Sequence, residues 1–409
     1  MFKAIKKMYK QDWGRSAWWA GYILLSVGYV VVFILGTNLI LGPKPVPNND
    51  LHLAWLVSPG RFFVPVAAAP GAVETNPELG ALDNPRERFL ATKPPATFRI
   101  FCVGGSTTRG WPFHRKLSYP ALLALYLRDL FPDKKIEVIN AGMMAFDSTS
   151  DLHLITQLLE YNPDLILLYT GRNEEWTFPF HTIRRALKLH VWLMRNIRLY
   201  AFLRDWREKQ VSAEFDHAQA VRDWAKARTN TGNKAELLAL TGLMEKNIRL
   251  MAEKTAGKNC KMGIITQISS SRELPESSNI NSINLCLKNI AFQLKLPILD
   301  LDRIFKSSKL RWDDLFIDSP PHPDASGYML MAQSVVKWIA SMGIIAPEKE
   351  WKWKNLAGEK TYLSKLGVTR TFMAGTYTRL ADMEKKLGET KDTEKYRAKA
   401  FNCRNNSCR

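Results

Sequence analysis

The spacing of apolar positions changes character several times along the chain. From Ala17 to Leu41 the run AWWAGYILLSVGYVVVFILGTNLIL contains no charged residue. A bilayer core takes ~20 apolar residues as helix, so this run predicts one transmembrane helix. Trp18, Trp19 and Tyr22 stand at its start, where interfacial aromatics sit. Gly42 to Asp50 (GPKPVPNND) then reads as an extended spacer, and Pro65 to Pro85 as a second loose stretch. The apolar segment between them, Leu51 to Phe63, reads as one that docks on a neighbour. From Thr97 onward short apolar runs alternate with helical spacing. Arg99–Gly104, Ile136–Asn140, Asp164–Tyr169, Gly263–Ile268 and Leu296–Asp300 predict five buried strands. Ser118–Phe131, Ser150–Tyr161 and Ser326–Ser341 predict helices. Strands alternating with helices imply an α/β domain, a parallel sheet covered on both faces. Ligands bind such sheets beyond the C-terminal strand ends, so functional residues should follow the strands directly.

Two stretches fall outside this alternation. Residues 175–259 form an insertion, and its middle, Thr182 to Arg207, mixes Arg, Lys, Trp, Leu and Phe in a helical pattern. A basic amphipathic lid against headgroups or substrate is one reading. The plainer and favoured one is a helix packed on the core with a solvated charged face. At the end, Phe372 to Phe401 fits a helix–turn–helix pair similar to one tetratricopeptide repeat. A single repeat builds no solenoid, so this pair is expected to cap the domain or to offer a surface to a protein partner. The organisation predicted is 1–43 basic start and anchor, 44–96 irregular linker, 97–345 catalytic-type domain with its insertion, and 346–409 helical extension and tail.

Charge orients this picture. Lys3, Lys6, Lys7, Lys10 and Arg15 precede the apolar run against one acid, Asp12. The positive-inside rule keeps that end in the cytoplasm and places the rest outside it, as for a single-pass protein of a bacterial inner membrane facing the periplasm. A cleaved signal peptide is disfavoured because the run exceeds an h-region of roughly 7–15 residues. Over all 409 residues, 58 Lys and Arg face 39 Asp and Glu, a formal +19. Such a balance suggests anionic neighbours. The charge is spread along the chain without a zinc-finger, RRM or Walker-type pattern, so lipid or acidic glycan is expected and nucleic acid is not. The five cysteines lie far apart and make no disulfide framework. Cys102 reads as a small core hydrophobe. Cys403 and Cys408 could pair or bind metal but read more simply as part of a mobile tail.

The predicted strands end in residues with chemistry. The first ends in Val103-Gly104-Gly105-Ser106-Thr107-Thr108, the second in Asn140-Ala141-Gly142, the third in Tyr169-Thr170-Gly171-Arg172-Asn173-Glu174. Before the last helix stands Asp318-Ser319-Pro320-Pro321-His322-Pro323-Asp324. A serine between strand and helix is well placed to be a nucleophile, with backbone N–H groups near enough to serve an oxyanion. Each segment alone also reads as an ordinary loop; their joint order after successive strands does not. No histidine pattern suits a metal, and no cofactor is expected.

Together these segments resemble the blocks of the SGNH hydrolases, the GDSL-like lipases and esterases, over roughly Arg99 to Ser341. Ser106 matches the block I serine, with GGS where many members have GDS. Gly142 matches the block II glycine, Asn173 the block III asparagine in a GxNE context, and His322 the block V histidine. The resemblance implies a three-layer α/β/α fold and ester chemistry through an acyl-enzyme. Ser106 would be nucleophile and His322 its base, with the N–H groups of Ser106 and Gly142 and the amide of Asn173 as oxyanion donors. One departure stands out: the family's acid lies three residues before the histidine, where this chain has Ser319. Asp318, four before, is the candidate acid and Asp314 a poorer one; without either the site is a Ser–His dyad. The function expected is an extracytoplasmic esterase or deacylase acting on acyl esters of glycan, lipid or a small alcohol. An O-acyltransferase with the same site, or a silent SGNH-fold subunit of a membrane assembly, are the alternatives.

Overall fold

Buried strands need apolar side chains on both faces, and the central run of this chain supplies them. In the computed structural model, Ile100 and Cys102 of one strand point to one hydrophobic core, and Phe101 and Val103 to another. That alternation is the period of two expected of a strand with both faces covered. The structure describes residues 22–38, 55–56, 59–79, 86–214, 234–269, 271–273, 279–317, 322–386 and 388–405. They divide into two compact units: Met1–Asp50 with Arg184–Asp216, and Leu51–Ile183 with His217–Arg409.

Among the described residues the first unit contains three helices, α1 (22–38), α6 (Arg184–Asn196) and α7 (Arg198–Glu214). Leu187, Val191 and Met194 recur at helical spacing and are the buried face of α6. Asn38 ties α1 to the corner between α6 and α7. Its Nδ2 donates to the Asn196 carbonyl at 2.7 Å, and its Oδ1 accepts the Arg198 N–H at 2.8 Å. One amide thus satisfies a last carbonyl and a first N–H that the helix ends leave open. Tyr22, Leu24, Leu25, Tyr29 and Val32 of α1 are exposed, as are Trp192 and Trp206 of α6 and α7. Among the described residues no helix is long and apolar enough to cross a membrane. Residues 17–21 and 39–41 of the apolar run lie outside the described residues.

The second unit contains a parallel sheet of five strands, β4 (Thr97–Gly104), β5 (Lys135–Gly142), β6 (Leu165–Tyr169), β7 (Lys261–Ile265) and β8 (Ile298–Leu299), in the order β5-β4-β6-β7-β8. A small antiparallel sheet precedes it: β1 (Phe63–Pro65), β2 (Ala72–Thr75) and β3 (Arg88–Leu90). The remaining helices are α2 (Ser106–Arg109), α3 (Tyr119–Leu130), α4 (Ser148–Leu158), α5 (Glu174–Thr182), α8 (Lys234–Ala256), α9 (Asn279–Leu294), α10 (Leu301–Lys306), α11 (Trp312–Leu315), α12 (Ala325–Met342), α13 (Glu359–Lys365), α14 (Arg370–Lys386) and α15 (Thr390–Arg404). One core joins the sheet to α3, α12 and the C-terminal helices. The other joins the opposite face to α4, α8 and α9. The result is three layers, helix–sheet–helix. Helix α3 starts where Ser118 caps it by accepting the Ala121 N–H at 3.3 Å.

Three expectations need correction. The stretch Pro65 to Pro85 is not loose throughout, since β2 lies within it. Its strands are too short, and too edged with proline, to announce themselves as alternation. The fourth predicted strand is displaced: the ladder ends at Ile265, and Gln267 turns away to donate its N–H to Asn284 Oδ1 at 2.8 Å. Cys403 is not on a loose tail; it is buried in α15 and disulfide-bonded, and Cys408 lies outside the described residues. The apolar segment ahead of β1 does dock. Trp55 and Phe62 enter the second core, and Gln157 of α4 takes the Phe62 N–H at 3.0 Å and donates to the Gly60 carbonyl at 2.8 Å.

Candidate active site

Strand β4 is where the sheet order reverses: the chain leaves it for β5 on one side and returns to β6 on the other. Crevices open at the C-terminal end of such a switch point. Ser106 stands there, first residue of α2 and two residues past β4. Its Oγ lies 2.7 Å from His322 Nε2, although the two are 216 residues apart in sequence. For Nε2 to accept the hydroxyl proton, the ring carries its own proton on Nδ1. Asp318, the expected partner of Nδ1, lies outside the described residues. Asp314 is exposed on α11.

Asn173 follows β6 and precedes α5. Its Nδ2 donates to the Phe146 carbonyl at 2.7 Å. A Cβ added at Gly105 would lie 2.6 Å from that same Nδ2. Absence of a side chain at 105 therefore lets the Asn173 amide rest against the turn that carries Ser106. The backbone N–H of Ser106 has no hydrogen-bond partner among the described residues.

Gly142 does not play the part expected of it. Its N–H donates to Asn140 Oδ1 at 2.9 Å and is already engaged. The glycine is there for packing, since a Cβ would fall 2.4 Å from the Arg109 backbone nitrogen of α2. Asn140 Nδ2 in turn donates to the Thr108 carbonyl at 2.8 Å, so the NAG segment fastens β5 to α2. A turn follows β5. Its Met143 N–H donates to the Gly104 carbonyl at 2.9 Å, while the Ala145 N–H has no partner among the described residues. Ala145 has φ of 58°, a conformation that non-glycine residues seldom adopt and that is often found at functional sites. Sequence carries no signal for this, because an alanine gives no hint of a left-handed backbone.

Gly105, Ser106, Phe146, Gly171, Asn173 and Gln267 are among the residues lining a small open cleft. Behind it two buried carboxyl groups are shifted in opposite directions. Asp147 caps α4 by accepting the Ser150 N–H at 2.8 Å, and also takes the Thr177 hydroxyl at 2.5 Å and His181 Nε2 at 2.9 Å. Burial opposes its charge, but these partners outweigh it and hold the carboxyl below its usual value. Glu174 accepts the Ser148 N–H at 2.6 Å. Burial, reinforced by the neighbouring Asp147 charge, pushes its carboxyl well above the usual value.

No protein-family model matches the chain, and no curated protein matches it. Among solved structures the chain is similar to the acetylxylan esterase Axe2 from Geobacillus stearothermophilus, at 17% identity over 59% of this chain and 94% of that one, TM-score 0.37. It is similar to the lipase/acylhydrolase from Enterococcus faecalis, at 19% identity over 59% of this chain and 95% of that one, TM-score 0.37. A third likeness is to LAE5, an alpha/beta hydrolase enzyme from the metagenome of Lake Arreo, Spain, at 16% identity over 59% of this chain and 94% of that one, TM-score 0.39. At such identities and TM-scores nothing about the chemistry of this chain is taken from them.

Proposed function

We propose that the protein is a membrane-anchored serine esterase or deacylase that cleaves acyl esters of a glycan, lipid or small alcohol outside the cytoplasm. The observation that carries the chemistry is the 2.7 Å contact between Ser106 Oγ and His322 Nε2 at the C-terminal end of the central strand. His322 Nε2 accepts the Ser106 proton as Oγ attacks the acyl carbonyl. The carbonyl oxygen becomes an oxyanion facing the Ser106 and Ala145 N–H groups and the second N–H of the Asn173 amide. The C–O bond to the alcohol breaks, the alcohol leaves with the proton from His322, and the acyl group stays on Ser106. Water then attacks, giving its proton to His322, and the acid departs as Oγ is reprotonated. Asp318 is the candidate to orient the imidazole through Nδ1.

The anchor rests on the uncharged run 17–41 and the basic residues before it. The large apolar side chains exposed along α1 support it. A disulfide at Cys403 suits an oxidising compartment.

Labelling of purified protein with a fluorophosphonate probe tests the chemistry. Wild type is expected to label strongly, and Ser106→Ala and His322→Ala hardly at all. A folded wild type that does not label would falsify the esterase reading.

A further inference from the structure

The loop that carries His322 is fastened on both sides by one helical hairpin from the end of the chain. On the near side, Phe316 and Pro323 form an isolated antiparallel bridge, and the Ile317 N–H donates to the carbonyl of His322 itself at 2.9 Å. The Ile317 carbonyl in turn accepts two donors from α15, the Lys395 ammonium at 2.6 Å and the Tyr396 hydroxyl at 2.9 Å. On the far side, Asp324 caps α12, its Oδ1 accepting the Ala325 N–H at 2.8 Å. That Oδ1 also accepts the Tyr377 hydroxyl of α14 at 2.7 Å, and Oδ2 accepts the Lys399 ammonium of α15 at 2.6 Å. Asp324, Tyr377 and Tyr396 are buried, where charge-assisted hydrogen bonds are at their most directional. Burial, then the Asp324 charge, keeps the Tyr377 phenol well above its usual value, so it remains a donor.

We propose that the α14–α15 hairpin is a positioning element for His322, with Tyr377, Lys395, Tyr396 and Lys399 fixing its backbone so that Nε2 rests on Ser106 Oγ. The proposal deepens the esterase reading and rests on it. None of the four touches reacting atoms. They act through the Ile317 carbonyl and the Asp324 carboxylate, which flank the histidine. A loop running over a surface is ordinarily mobile, and a misplacement of 1 Å costs on the order of 10²-fold in rate. A hairpin that merely covers the core would need the aromatic rings and aliphatic stems but not the hydroxyls and ammonium groups.

The test uses the full-length protein with p-nitrophenyl acetate, comparing wild type, the double variant Tyr377→Phe/Tyr396→Phe, and Lys399→Met. The Phe variants keep the rings and lose only the hydroxyls. Turnover in the double variant is expected to fall about 10- to 100-fold with KM changed less than about 2-fold. Hydrogen exchange of the peptide spanning 315–324 is expected to quicken in both variants. Unchanged turnover overturns the proposal, and so does a loss that only tracks the fraction of protein still folded at the assay temperature. Should wild type neither turn over nor label with fluorophosphonate, the esterase reading fails by itself, and exchange still decides. Faster exchange in the variants then supports the fixing of the loop, and unchanged exchange overturns it.

Discussion

At the scale of single residues, the site is built on close approaches more than on charge. Gly105 has no side chain where one would collide with the Asn173 amide, and that amide is bound to the Phe146 carbonyl. Removing the amide in Asn173→Ala is expected to lower kcat by about 10²–10³-fold, as the loss of one oxyanion donor does elsewhere, with KM nearly unchanged. Gly105→Ala is expected to reach a similar loss with Asn173 still present, because the added methyl displaces it. Steady-state kinetics checks both; an Asn173→Ala enzyme within about 3-fold of wild type would remove Asn173 from the oxyanion site. The sequence singles out Ser106, Asn173 and His322 through their resemblance to family blocks, and the structure sets Ser106 Oγ 2.7 Å from His322 Nε2. Gly142 was legible only as a glycine. Its N–H is committed to Asn140, and an amide without a partner among the described residues belongs to Ala145, one turn later. Whether an amide points at a neighbour depends on backbone torsions, which an alanine does not disclose.

At the scale of elements, α4 and α5 exchange carboxylates. Asp147 caps α4 and binds Thr177 and His181 of α5, while Glu174 at the start of α5 accepts the first N–H of α4. The two groups make opposite contributions with pH. Asp147 titrates below its ordinary 3.8 in the folded state, so its contribution is present above 3.8 and is lost as pH falls through the depressed folded value. Glu174 titrates above its ordinary 4.5, so its contribution is present below 4.5 and is lost as pH rises through the raised folded value. Asp147→Asn is expected to destabilise by about 3–5 kcal/mol at neutral pH by breaking a buried pair. Glu174→Gln keeps the neutral shape and the acceptor. It should match wild type at mildly acid pH and lose less stability toward alkaline pH. Thermal midpoints between pH 5 and 10 measure this, and a Glu174→Gln midpoint that drops as steeply as wild type would show that the acid is not neutral in the fold. Of the two helices, only α4 could be read, from the helical spacing of Ser150–Tyr161. This reciprocal tie could not, since it joins residues 26 and 34 apart in sequence.

At the scale of the molecule, the alternation of strands and helices was readable because the sheet is buried on both faces and its strands are therefore continuously apolar. The boundary at 345 was less well drawn. Periodicity marks the C-terminal helices as a separate pair, yet Tyr362, Met373, Tyr377, Leu380, Tyr396 and Ala400 are buried in the same core as the central sheet. A chain ending at residue 345 is accordingly expected to misfold, exposing that core. Limited proteolysis would show this as rapid degradation, whereas a resistant fragment with the wild-type thermal midpoint would make the extension a module of its own. The fastening of His322 by residues 395 to 399 also has a consequence in time. Ser106 leaves the ribosome well before Tyr396, and at about 5–20 residues per second roughly 15–60 s separate them. A chain threaded across a membrane from its N-terminus would carry its nucleophile into the new compartment long before the base is held against it. Ester cleavage would then begin only after the α14–α15 hairpin has followed, and a chain stalled short of that hairpin would stay inert.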